Sequence, residues 1–228
     1  MPNSLHREWT IRAAEAGKHV LCEKPLALNA EECREMEAAA REHGVKLMEA
    51  FMYRFHPRFQ SLVDLVRGGR IGRVAAVRSA FTFRLRSTDN IRLDPGLGGG
   101  ALMDVGCYCV NVSRTVVGEE PESAQATGTW TDRGVDERLT GILRCPGGAV
   151  AHFDCALDVE RNEVFEVAGT DGSRRVPAAF LPGTDDVDIQ ESRGREGTRT
   201  HGTSGVDEYR LMVEHFADCV LHDREPRY

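Results

Sequence analysis

The sequence has no uninterrupted apolar run near the ~18–20 residues that a membrane-spanning helix requires. Basic excess is missing as well. Of the 228 residues, 36 are Asp or Glu against 29 Lys or Arg, a net charge of -7, which is the reverse of a nucleic-acid footprint. The opening residues, Met1-Pro2-Asn3-Ser4, lack a basic segment followed by an apolar one, so no secretory signal is expected. There is no CxxC pair. Seven cysteines (Cys22, Cys33, Cys107, Cys109, Cys145, Cys155 and Cys219) form an odd set among apolar neighbours. They read as free thiols in a reducing cytoplasm, with no disulfide framework and no metal site. Repeats and low-complexity tracts are lacking too. What is present is 41% hydrophobic and 29% charged, an ordinary globular composition long enough for one large or two small domains.

Along the chain, Asn3 or Ser4 is placed to cap a helix running to about Ala16, with Leu5, Trp9, Ile11, Ala13 and Ala14 as its apolar stripe. A short strand, Val20–Cys22, follows. Asn29 caps a second helix, whose first turn carries Glu31 and Glu32, and Gly44 ends it. Val45–Met48 then makes another apolar strand. Helix, strand, helix, strand is the order of a doubly wound parallel sheet. Past a helix at 57–67 the pattern changes. Val77, Ser79, Phe81 and Phe83 share one face of a long strand over 74–85. Further alternating segments fall at 123–131, 137–144, 149–157 and 163–169, and a helix over 101–117 precedes them. The Gly-rich stretch 183–205 reads as a loop or a pair of edge strands. An amphipathic helix over 206–223 closes the chain. The fold class is therefore α/β followed by α+β. Residues 1–56 would be the last part of a parallel, Rossmann-type sheet, and 57–228 a mainly antiparallel sheet with helices on one face.

Two stretches carry chemistry. In His19-Val20-Leu21-Cys22-Glu23-Lys24-Pro25 a buried strand ends in an acid, a lysine and a proline, at the edge where open α/β sheets bind ligands. A lysine held there can donate a proton or clamp a polarised oxygen. The plainer alternative is a solvated Glu-Lys pair. In Gly98-Gly99-Gly100-Ala101-Leu102-Met103-Asp104-Val105-Gly106-Cys107-Tyr108, Asp104 and Tyr108 stand four apart, on one face of a helix with apolar neighbours. That suits a proton relay in a cleft. Equally, Asp104 suits a helix start and Tyr108 a core. The glycine triplet alone is a weak phosphate-loop signal.

These stretches together resemble the Gfo/Idh/MocA family of NAD(P)-dependent oxidoreductases, in the branch of glucose-fructose oxidoreductase, D-xylose dehydrogenase and dihydrodiol dehydrogenase. The resemblance rests on Pro2-Asn3-Ser4-Leu5-His6, on AGKHVLCEKP at 16–25, on EAFMYRFHP at 49–57 and on GGGALMDVGCY at 98–108. It implies catalytic roles for Lys24, Tyr108 and Asp104: Lys24 on the reacting oxygen, Tyr108 as partner acid/base, Asp104 on a substrate hydroxyl or the proton relay. Asn3, His6, Glu23 and Lys24 would line NAD or NADP, while Arg92, Tyr53 and Arg54 would border the substrate. A small sugar-like or cyclic alcohol substrate is implied, as is a homo-oligomer formed through the open sheet face. The family's GxGxxG turn occurs nowhere in the 228 residues. The chain is accordingly expected to be a truncated form that binds dinucleotide poorly. The alternative is a non-catalytic binding or dimerisation module.

Overall fold

The computed structural model describes residues 1–194 and 197–228. The first part begins with a 3-10 turn at Asn3–Leu5 and helix α1 (His6–Glu15), then β1 (Val20–Cys22), α2 (Ala30–Glu42) and β2 (Leu47–Glu49). Strands β1 and β2 pair in parallel, with Val20 opposite Leu47 and Cys22 opposite Glu49. Met36, Cys22 and Ala27 are buried between this pair and the helices, with Ile11, Val20 and Leu47 packed against them.

Three local readings shift. No side chain caps α1, because the Asn3 amide donates instead to the distant Gly98 carbonyl at 2.8 Å. The buried face of α1 is His6, Thr10 and Ala14, while Trp9 is 49% exposed with the Arg12 guanidinium over its ring. Strand β2 starts two residues later than the apolar run predicts. The Val45 amide donates back to the Ala40 carbonyl and the Gly44 amide to that of Arg41. This paired closure of a helix C-terminus, with Gly44 at φ +62°, consumes Val45 in capping α2. The Asn29 cap on α2 is as expected: its side chain accepts from the Glu31 and Glu32 amides, and Glu32 returns a bond to the Leu28 amide.

The larger part contains α3 (Pro57–Arg67), β3 (Val74–Arg84), α4 (Cys107–Val117), β4 (Ser123–Trp130), β5 (Asp136–Arg144), β6 (Val150–Ala156), β7 (Asp158–Gly169), β8 (Ser173–Pro177), β9 (Val187–Ser192), β10 (Thr198–Thr203) and α5 (Glu208–Leu221). The eight strands form one sheet in the order β10-β9-β8-β7-β3-β6-β5-β4. Every pair is antiparallel except the central β3 and β6, which run parallel. The 183–205 stretch supplies β9 and β10, the last two strands at one side of the sheet, with β10 at the edge. Helices α3 and α4 cover one face, over a core in which Phe81, Phe165, Phe180, Tyr53 and Tyr108 gather. Alternation leaves much of the other face of β5, β6, β3 and β7 to solvent, with Ile142, His152, Asp154 and Arg78 on it, while Ala80 and Thr82 on that face of β3 are buried.

Candidate active site

Lys24 stands two residues beyond the end of β1, at a cis bond to Pro25. Its ammonium reaches across to the larger part of the chain, donating to the Asp104 carbonyl at 2.6 Å and to Asp104 Oδ1 at 3.3 Å. The other carboxylate oxygen of Asp104 accepts from Arg92 Nε at 2.6 Å. The Lys24 and Asp104 side chains keep only 15% and 13% of their exposure, so solvent screens this ion pair weakly. In this trio one carboxylate lies between two cations, a locally positive arrangement suited to an oxygen that gains negative charge.

Tyr108 lies beneath Lys24, whose ammonium is 5.0 Å from the ring centroid. Phe51, Phe81 and Phe180 hold the ring. Burial pushes the phenol far above its ordinary value, with nearby Cys107, Tyr209, Glu23 and Asp104 adding to the rise. Tyr108 therefore stays protonated and acts as a donor. Among the described residues its hydroxyl meets only the Met52 sulfur, at 3.5 Å, a weak acceptor that a substrate oxygen outcompetes. Asp104 and Tyr108 do not bond each other; they flank Lys24 from two sides.

These groups line a cavity of about 600 Å³ together with Asn3, His6, Glu23 and Arg92. His6 Nδ1 lies 2.9 Å from the Pro25 carbonyl. A carbonyl only accepts, so Nδ1 carries a proton and faces Pro25, which turns Nε2 the other way. That Nε2 is buried and has no partner, so it is ready for a ligand's polar group. Glu23 accepts from the Lys24 amide at 3.3 Å. Glu49 ties the EAFMYRFHP stretch to the turn after Pro25 by accepting from the Leu26 amide at 2.8 Å. Burial raises its carboxyl above the usual range, and the Leu26 amide, Arg54, Arg114 and Lys24 oppose that rise.

Tyr53 and Arg54 lie away from this cavity. Tyr53 is 1% exposed, with its hydroxyl donating to Asn111 Oδ1 at 2.7 Å. The Arg54 guanidinium stacks on Tyr228, 3.5 Å from the ring centroid. Both belong to the 3-10 turn Met52–Phe55, where successive side chains diverge by about 120°. Met52 takes the cavity side and its two successors turn away. Sequence reasoning missed Met52, Leu181, Arg161 and Tyr209 on the lining, and Phe81 and Phe83 were seen only as a strand face. A signal for the two Phe residues was present, since the inner face of β3 leads to the cleft. Tyr209 and Arg161 carried none.

Within the glycine triplet, Gly98 makes a joint between the two parts, and Gly98 and Gly99 both reach the cavity wall. Gly98 sits at φ +74° against Leu28, and a Cβ there would come within 2.3 Å of the Leu28 side chain and 3.0 Å of the Asn3 Cβ. All seven cysteines are free thiols. Among the described residues, no three His, Cys, Asp or Glu side chains gather as a metal-holding group.

The chain matches two family models. Residues 59–175 fit the GFO/IDH/MocA C-terminal domain, and residues 1–51 fit the oxidoreductase family NAD-binding Rossmann fold. A D-xylose 1-dehydrogenase (NADP(+)) from Haloferax volcanii is 41% identical over 231 residues, spanning 100% of this chain and 70% of that protein. The crystal structure of an aldose-aldose oxidoreductase from Caulobacter crescentus, complexed with glycerol, superposes with a TM-score of 0.89 at 33% identity, covering 99% of this chain and 69% of that one. A 3-ketoreductase from Actinomadura kijaniata, in complex with NADP and TDP-benzene, reaches a TM-score of 0.90 at 28% identity over 99% and 70% of the two chains.

Proposed function

The chain belongs to the GFO/IDH/MocA family of oxidoreductases, and on that premise we propose that it moves a hydride between NAD or NADP and the carbinol or carbonyl carbon of an aldose-like sugar. The observation that carries this reading is the Lys24 ammonium, fixed by both the carbonyl and the carboxylate of Asp104 on the wall of a cavity that Tyr108 also lines. The nicotinamide cofactor supplies the hydride chemistry when bound; the protein's share is orientation and proton management. Asn3, His6 and Glu23 fit the nicotinamide and ribose end, and the unpartnered His6 Nε2 is the feature of the cavity that asks for such a polar partner.

In the reducing direction, Lys24 and the Tyr108 hydroxyl donate to the substrate's carbonyl oxygen. As the carbon receives hydride, that oxygen takes a proton from the Lys24 ammonium. In the oxidising direction the same nitrogen takes the proton back. Asp104 holds Lys24 in place, and Arg92 offsets the Asp104 charge while standing near enough to meet a sugar hydroxyl. Phe81, Phe83 and Leu181 give the apolar wall against which a pyranose C–H face packs. A division into a dinucleotide-binding part at 1–56 and a substrate and dimerisation part at 57–228 suits this arrangement, since the cavity lies between them. The open sheet face is proposed as the contact surface of a homo-oligomer. No described helix is long and apolar enough to cross a membrane.

The test is to offer the protein NAD or NADP at saturating concentration, since a chain without the GxGxxG turn is expected to bind dinucleotide weakly, with a panel of aldoses, D-xylose first, and to follow reduced nicotinamide. Turnover with at least one aldose is expected. Failure of every aldose with both cofactors contradicts the reading.

A further inference from the structure

Helix α4 does not begin as an ordinary helix. Residues Leu102–Gly106 form a π turn, in which the Cys107 amide donates to the Leu102 carbonyl five residues back. Such wide turns are rare and cluster at functional sites. Within the turn Leu102 and Met103 are good α-helix formers and Asp104, Val105 and Gly106 poor ones. From outside the helix the start of the turn is braced by Asp136, the first residue of β5.

Asp136 Oδ2 accepts from the Leu102 amide at 2.6 Å. Its Oδ1 presses on the preceding backbone, at 2.0 Å from where a Cβ on Gly100 would stand. Gly100 has φ +124°, a conformation that only glycine adopts without strain. From there the backbone carries the constraint onward. The Gly100 carbonyl accepts from the Asp104 amide at 3.0 Å, and the Gly100 amide donates to the Arg92 carbonyl at 2.9 Å. One carboxylate therefore fixes the backbone of both residues that touch Lys24 or its counter-ion. Asp136 is itself held by the strand: the neighbouring Val135 is 3% exposed and its carbonyl accepts from the Thr131 amide at 2.9 Å. It is not among the residues that line the cavity.

We propose that Asp136 is a positioning residue for the reaction, pinning the start of the π turn so that the Asp104 carbonyl and carboxylate stay aimed at Lys24. This rests on the proposed function. Burial raises the Asp136 carboxyl, and the amides of Leu102, Asp136 and Ala101 counter that rise, in keeping with an anion serving as acceptor for backbone N–H groups. A plain helix cap would stabilise the helix and leave Lys24 where it is. A positioning residue would not.

The experiment compares the whole chain with Asp136→Ala, which removes the acceptor, and Asp136→Asn, which keeps a side-chain oxygen for the Leu102 amide. Two readouts need no cofactor: hydrogen exchange of the Leu102 amide, and the nuclear magnetic resonance signals of the Lys24 ammonium end. Circular dichroism confirms that each variant is folded. Asp136→Ala is expected to speed Leu102 exchange by about 10–100-fold, the loss of one charge-assisted bond, and to move the Lys24 signals. Asp136→Asn restores both toward wild type. In turnover, kcat of Asp136→Ala falls by a similar factor while KM changes by less than about threefold, because orientation and not substrate contact is lost. Faster Leu102 exchange with unmoved Lys24 signals would overturn the proposal and leave a simple cap. A wild-type protein without turnover whose Lys24 signals still respond to Asp136→Ala would sink the proposed function and support the coupling.

Discussion

The chemistry of the site comes down to which groups keep their protons. Tyr108 keeps its own because its phenol is buried among aromatic rings, and the hydroxyl is held only by a sulfur. Tyr108→Phe is therefore expected to lower kcat by about 10–100-fold, within the range for one proton-handling group, and to leave the urea midpoint nearly unchanged; steady-state kinetics and urea unfolding check both. A second buried acid acts on stability. Glu208 is 3% exposed, one of its oxygens has no partner, and burial pushes its carboxyl up to about 8, with Arg58 opposing and Glu163 and Asp207 adding. The folded chain thus keeps a proton that the unfolded chain releases near its ordinary value of 4.5. Stability from this group is complete below that value and is lost as pH rises toward about 8. Glu208→Gln should raise the urea midpoint at about pH 8 and change it little at about pH 4; equal effects at both would contradict this. Lys24, Asp104 and Tyr108 stand in the short motifs at 16–25 and 98–108, whereas Arg92 lies outside every quoted motif and followed only from the resemblance. Tyr53 and Arg54 stood in such a motif as well, but a 3-10 turn sends neighbours in different directions, and that divergence has no signature in composition.

Local elements follow the sequence closely where capping and period decide them. The Asn29 cap, the Pro57 start of α3 and the alternation of β3 all have their cause within a few residues. Elements went unread where the cause is distant. The start of the π turn is braced by Asp136, the α1 start depends on Gly98, and the first residue of β2 on the closure of α2. The Gly98 joint is testable at this scale. Gly98→Ala forces a side chain into a left-handed backbone and into Leu28. A loss of about 1–3 kcal/mol in urea unfolding is expected from the backbone strain. Adding Leu28→Ala relieves the collision and not the backbone, so the double variant should recover only part of the loss. Full tolerance of Gly98→Ala would contradict the joint.

Across the whole molecule, two unlike sheets meet at one cavity, and that arrangement was legible from order alone: short apolar strands between helices first, alternating strands after. The pairing of β3 with β6 in parallel was not, because strand order in a sheet is set by contacts far apart in sequence. The open face of that sheet carries Ile142, 43% exposed, and Val150, 37% exposed, among charges of both signs such as Arg78, Asp154 and Glu166. A surface of that kind is able to pair with its own copy about a two-fold axis. Sedimentation equilibrium is expected to find a dimer that Ile142→Asp weakens by at least about tenfold, the cost of burying one unpaired charge; a monomeric wild type would contradict it. Passage of hydride in the cavity under the control of Lys24 is checked by supplying D-xylose deuterated at the reacting carbon with oxidised cofactor, and measuring deuterium on the nicotinamide for wild type and Lys24→Met. Wild type is expected to transfer deuterium, with a loss of about 10²–10⁴-fold in the variant. A sugar that yields no deuterium to the cofactor, or a variant that transfers at the wild-type rate, would contradict it.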